Sequence, residues 1–176
     1  MSKATGIATQ NNNDKFEFTK DNLMLAEKII KKYPKDCQQS AVMPLLDIAQ
    51  RQNSNWIPKA AMDYIANMLD MPPIKVYEIA TFYSMYNKKP VGKHLVQVCR
   101  TTPCWLNNAE GILKTCSKKL GINVGETTKD QKFTLVEVEC LGACVNAPVV
   151  QINDDYYENL TEEKIESLLG NLAQTK

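Results

Sequence analysis

Two close pairs of cysteines, Cys99-Arg-Thr-Thr-Pro-Cys104 and Cys140-Leu-Gly-Ala-Cys144, constrain this chain more tightly than any other feature. Each pair begins where a strand-like apolar run ends, His94 to Cys99 and Phe133 to Cys140, and then opens into a loop. If the two strands are parallel, both loops lie at one sheet edge and four thiols converge, as a metal centre requires. Cysteine is among the most buried residue types, so a single one reads as core. That reading suits Cys116, at helical spacing with Ile112, Leu113 and Leu120, while Cys37, near a loop, reads as incidental. It does not explain two close pairs at strand ends. Cys99, Cys104, Cys140 and Cys144 are therefore the candidate ligands.

Spacing narrows the kind of centre. Zinc sites usually place two residues between paired cysteines and sometimes up to four, so this pattern is possible for zinc but atypical. Plant-type ferredoxins share the first spacing and then continue with a C-x2-C that is absent here. A thioredoxin-like dithiol needs C-x-x-C, also absent. A Rieske centre needs two histidines, and His94 is the only one. Two pairs of thiols on two loops match a rhombic [2Fe-2S] core, in which each iron takes two protein sulfurs. A structural zinc module stays open as the alternative.

A four-thiolate cluster carries about two negative charges oxidised and about three reduced, so its loops must supply donors. Gly142 lets backbone approach the sulfurs, Thr101 and Thr102 can donate hydroxyl hydrogen bonds, and Arg100 can add positive charge. A helix opening after Cys104 would aim its first amides at the site. Trp105 either shields the cluster or packs conventionally. His94 is expected at the surface or a strand edge, and Pro148, ahead of a strand, is a candidate for a cis bond.

Composition excludes several classes. The 176 residues suffice for one domain with a substantial core or two small units, with a formal charge of +1 that gives no reason to expect nucleic acid or an anionic membrane. No stretch approaches the roughly 20 apolar residues that cross a bilayer, and the first fifteen residues lack the apolar centre of a secretory signal. The chain reads as cytosolic, or as a mature matrix-type protein. In such a reducing compartment six cysteines point to metal or redox chemistry rather than disulfides.

Residues 1–15, polar and Asn-rich, are expected to stay mobile. Residues 16–87 read as a helical unit. Its helices run through Leu23 to Tyr33, Ala41 to Ala49, Ala61 to Leu69 behind a first-turn Pro58, and Ile74 to Tyr83 after Pro72-Pro73. The last is apolar around much of its circumference, and Thr81 to Tyr86 is expected to form core between units or a partner-facing edge. Lys88-Lys89-Pro90-Val91-Gly92 marks a boundary. Residues 93–176 then give strand, helix (Asn108 to Leu120), strand, a hairpin around Asn153-Asp154-Asp155, and a final helix capped by Thr161. The fold class is α+β, an N-terminal helical bundle followed by an α/β domain with two cysteine loops at one sheet edge.

Glu78-Ile-Ala-Thr-Phe-Tyr83, Lys89-Pro-Val-Gly-Lys93, the cysteine pairs and Val138-Glu-Cys-Leu-Gly-Ala-Cys-Val-Asn-Ala-Pro148 resemble the E-type subunit family of the proton-pumping NADH-quinone oxidoreductase, respiratory complex I. The likeness runs from about Phe16 to Leu172 and looks closest to the alphaproteobacterial and mitochondrial branch. It implies a thioredoxin-like ferredoxin domain with one [2Fe-2S] cluster on Cys99, Cys104, Cys140 and Cys144. It also implies a partner, the flavin- and NADH-binding subunit, which holds FMN and NADH; this chain has no Gly-rich phosphate loop of its own. The family's place is with the other peripheral-arm subunits, on the inner face of the bacterial plasma membrane or the matrix side in mitochondria. One departure is Asn108, where many bacterial relatives have Gly; Asn tolerates the left-handed backbone. The equivalent subunit of an NAD-linked hydrogenase or formate dehydrogenase shares the same building block.

Overall fold

The computed structural model describes residues 15–174, so all but Lys15 of the polar N-terminal stretch lies outside the described residues. The chain divides into two compact units at Pro90/Val91.

In the first unit, α1 (Lys20–Ile30), α2 (Val42–Gln52), α3 (Lys59–Met68) and α4 (Pro73–Phe82) are set off by prolines that cannot continue a helix. Thr19 caps α1 by accepting from the Asn22 amide. Pro58 is the residue flanking α3 rather than part of its first turn. Between α1 and α2 the chain makes a 3-10 turn over Lys35–Ala41. Leu45, Leu46, Ile57, Ile65 and Val76 are fully buried at the centre, with Phe16, Phe18 and Tyr64 packed edge-to-face beside them. The buried Gln50 amide donates to the Met85 carbonyl at 3.1 Å, and its oxygen accepts from the Asn87 amide at 2.7 Å. That bond ties the segment after α4 to α2. The Thr81 to Tyr86 stretch is mixed: Tyr86 belongs to this unit's core, whereas Phe82 and Met85 are exposed.

In the second unit, β1 (His94–Cys99) is an inner strand of a four-stranded sheet, flanked by β2 (Phe133–Val138) at one edge and β3 (Val150–Ile152) on the other side, with β4 (Asp155–Tyr157) at the far edge. A near-continuous apolar strand such as His-Leu-Val-Gln-Val-Cys fits that doubly covered position. β1 and β2 run parallel, from His94 opposite Phe133 to Cys99 opposite Val138; β3 is antiparallel to β1, and Asn153 turns the β3–β4 hairpin at φ +56°. Parallel neighbours need a crossover, supplied by α5 (Thr102–Leu106) and α6 (Ala109–Leu120). Both ends of α6 are left-handed, Asn108 at φ +66° and Gly121 at φ +67°. α7 (Glu162–Gln174) packs on α6, with the Thr161 hydroxyl accepting from the Lys164 amide. Val96, Ile112, Cys116, Leu135, Val150 and Ile165 fill the core beneath. Among the described residues no helix is long and apolar enough to cross a membrane.

His94 departs from its expected exposed position. It is buried, its ring 5.1 Å from that of Phe133, its register partner on β2. Ring-on-ring packing at the start of the parallel pair outweighs the imidazole's affinity for water, and Nε2 finds no hydrogen-bond partner. Burial, followed by the charges of Lys93 and Lys132, pushes its pKa down.

Candidate metal centre

The parallel register decides where the thiols go. Cys99 closes β1 opposite Val138, and the chain leaving β2 reaches Cys140 two residues later. The Arg100 amide still donates to the Val138 carbonyl at 3.1 Å, so both chains leave the sheet side by side. From Arg100 the first chain turns into α5, which begins at Thr102 with Pro103 in its first turn. Cys104 therefore lies inside α5, not ahead of a helix as its position after a Thr-Thr-Pro loop suggested. The second chain turns at Gly142, φ +83°, and Cys144 opens a single 3-10 turn. A Cβ at Gly142 would meet nothing within 4 Å, so glycine is required there by backbone conformation and not by crowding.

Two thiols are buried and two face outward. Cys99 and Cys104 are each 1% exposed and form a small apolar floor with Ala109 and Val149, lined further by Leu141, Ala143 and Ala147. Cys140 is exposed and Cys144 half-buried, with their sulfurs 3.4 Å apart. Around the sulfurs sit the donors a thiolate cluster needs. The Gly142 amide donates to Cys140 Sγ at 3.3 Å, and the Thr101 hydroxyl lies 3.4 Å from Cys99 Sγ. Of the two threonines, Thr101 is the one on sulfur; Thr102 is exposed in the first turn of α5.

Thiol acidity follows these contacts. Burial pushes Cys99 up, but the Thr101 hydroxyl and the Leu141 and Thr101 backbones pull it lower in net. Burial and its bond with Cys99 raise Cys104 to about 11. Cys140 is lowered, first by the Gly142 amide and then by Cys144 and Thr101, while Cys144 is raised, chiefly by its bond with Cys140. Within each pair the bond between the two sulfurs lowers one thiol and raises the other. The pairs also sense each other, since the charge of Cys99 bears on both Cys140 and Cys144.

The donor set is two-and-two. Two thiols from each of two loops are the donor set of a rhombic two-iron core. Arg100 pairs with Glu139 at 3.2 Å, joining the residue after Cys99 to the residue before Cys140, so its charge is largely matched by that carboxylate. Trp105 is 61% exposed and lines an open cavity together with Cys99 and Thr101. Cys116 is core, its thiol raised to about 12 by burial, and Cys37 is exposed in the 3-10 turn.

Sequence reasoning missed the backbone donors. Leu141 and Val149 offer amides to Cys99 and Cys104, and the Tyr156 hydroxyl holds the second loop by donating to the Leu141 carbonyl at 3.0 Å. The Ala147–Pro148 bond is cis. Amides carry no residue-type signature, so only the fold reveals them.

The mixed sheet thus carries paired thiols on adjoining parallel exits. The family model described as thioredoxin-like [2Fe-2S] ferredoxin matches residues 26–173, and the chain belongs to that family. It is 64% identical over 157 residues to the E-type subunit of NADH-quinone oxidoreductase from Rickettsia bellii (strain RML369-C), covering 89% of this chain and 94% of the relative. It is 54% identical over 172 residues to the Dictyostelium discoideum protein named NADH dehydrogenase [ubiquinone] flavoprotein 2, mitochondrial, covering 97% and 70%. Among solved structures, an NAD+-reducing [NiFe]-hydrogenase in the H2-reduced state aligns with TM-score 0.64 at 19% identity, over 75% of this chain and 22% of that one. That last likeness is one of fold. The group that family membership implies is one [2Fe-2S] cluster, and the paired thiols with their amide and hydroxyl donors fit it.

Proposed function

We propose that this chain is the electron-carrying E-type subunit in the NADH-oxidising arm of a proton-translocating NADH-quinone oxidoreductase. It holds one [2Fe-2S] cluster through Cys99, Cys104, Cys140 and Cys144 and exchanges single electrons with FMN on the flavin- and NADH-binding partner. The observation that carries this reading is the pairing of four thiols at the parallel exits of β1 and β2, within a chain 64% identical to a subunit of that kind.

When bound, the cluster supplies one-electron redox chemistry; the chain supplies its setting. Cys99 and Cys104 form the dry side, where the apolar floor excludes water. Cys140 and Cys144 form the outward side, the shorter route for an electron to a partner. Cysteines ligate as thiolates, so loading releases protons and strengthens as pH rises. The amides of Gly142, Leu141 and Val149 and the Thr101 hydroxyl offset the negative charge left on sulfur. Leu106 and Val145, neighbours of the ligands in sequence, are 70% and 97% exposed and add apolar surface of the kind a partner covers. The chain alone does not oxidise NADH. Its membrane association is through the complex, on the cytoplasmic face in bacteria or the matrix side in mitochondria.

The equivalent subunit of an NAD-linked hydrogenase is the second reading, supported by the fold likeness alone. For the ligand set, the direct experiment is Cys104→Ala in the full chain. Loss of most of its iron is expected; a full complement of iron in that variant contradicts the assignment.

A further inference from the structure

Thr101 stands at the N-cap of α5 with the extended backbone of a capping residue, φ −73° and ψ 166°, yet its side chain makes no cap hydrogen bond. A threonine there ordinarily accepts from an amide of the first turn, a bond worth about 1 kcal/mol. Its hydroxyl is turned to sulfur instead, 3.4 Å from Cys99 Sγ. Cys99 belongs to the buried pair, and Thr101 beside it is half-buried.

A hydroxyl has one proton to give, and a thiolate accepts without donating. Hydrogen bonds to charged acceptors are the stronger kind, and their strength grows with the charge on the acceptor. Cluster sulfurs gain negative charge on reduction, so a donor on Cys99 favours the reduced form.

We propose that Thr101 is a positioning residue that sets the reduction potential, its hydroxyl proton directed to Cys99 Sγ. This rests on the four-cysteine cluster reading above. Because no cap bond is lost, Thr101→Val removes the proton while keeping the side chain's shape, and Thr101→Ser keeps the proton.

The test is an EPR-monitored redox titration of the full chain and three variants, Thr101→Val, Thr101→Ala and Thr101→Ser, each first assayed for iron and acid-labile sulfide. The expected result is cluster content like the parent's, with the Val and Ala variants shifted to more negative potential. The reduced-to-oxidised ratio at fixed poise should fall about tenfold, or about 59 mV for one electron. The Ser variant should stay near the parent. A parent chain without iron and sulfide would defeat the cluster reading itself. Loaded Val and Ala variants at the parent's potential would overturn the role of Thr101, as would a Ser variant shifted as far as Val. Failure of both Val and Ala to hold iron, with Ser holding it, would assign the hydroxyl to retaining the cluster and also overturn the proposal.

Discussion

Cys99 and Cys116 show how differently one residue type is used in one unit. Both are buried, but Cys116 is surrounded by core at the middle of α6, and its raised thiol is inert. Cys99 ends a strand, where the Thr101 hydroxyl and the Leu141 and Thr101 backbones outweigh the same burial and pull the thiol's pKa down. That difference was legible in the sequence because Cys116 sits at helical spacing and Cys99 does not. The position of His94 was not legible, since nothing in an isolated imidazole announces that its register partner is Phe133. Its lowered pKa has a consequence with a definite sign. The unfolded chain protonates His94 near the ordinary value of about 6.5, and the folded chain only at lower pH. Stability from this site is therefore complete above that value and is lost as pH falls through the folded pKa. Urea midpoints at pH 8 and pH 5.5 should differ more for the parent than for His94→Phe; equal slopes in both proteins would contradict the burial of His94.

At the scale of elements, strand and helix patterns carried most of the fold. The parallel pairing of β1 and β2 is the condition the two cysteine runs set for their thiols to meet, α1 to α4 and α6 followed from apolar spacing, and α7 from its Thr161 cap. α5 and the 3-10 turn at Lys35–Ala41 did not. Five residues opening on Thr-Pro give no period to read, and 3-10 turns lack the 3.6-residue repeat. Gly92, which reads in sequence as part of a turn, turns out to be a packing requirement for the strand pair. A Cβ there would stand 2.7 Å from the Phe133 backbone nitrogen and carbon, atoms that cannot swing aside. Its amide donates to the Thr134 hydroxyl at 2.6 Å. Gly92→Ala should cost about 1–3 kcal/mol by thermal or urea unfolding. An unchanged midpoint would mean that the start of β1 is looser than this geometry.

For the whole molecule, what was legible from residues alone ended at a four-thiol centre on an α+β chain; the partner came from family likeness. Physical chemistry explains that limit. Thiols and their donors are local, whereas Leu106, Phe82 and Val145 are merely exposed apolar side chains until a second protein is specified. The pathway is accordingly tested at this scale. Affinity purification of the full chain from its source cell should bring membrane-arm subunits of a quinone reductase; recovery of hydrogenase subunits instead would favour the second reading. Before the pathway, though, comes the centre itself. Iron and acid-labile sulfide measured on the purified chain, with an EPR spectrum after dithionite, address it directly. Iron and sulfide in equal amounts with an axial-type signal are the predicted result, and zinc without sulfide would contradict it.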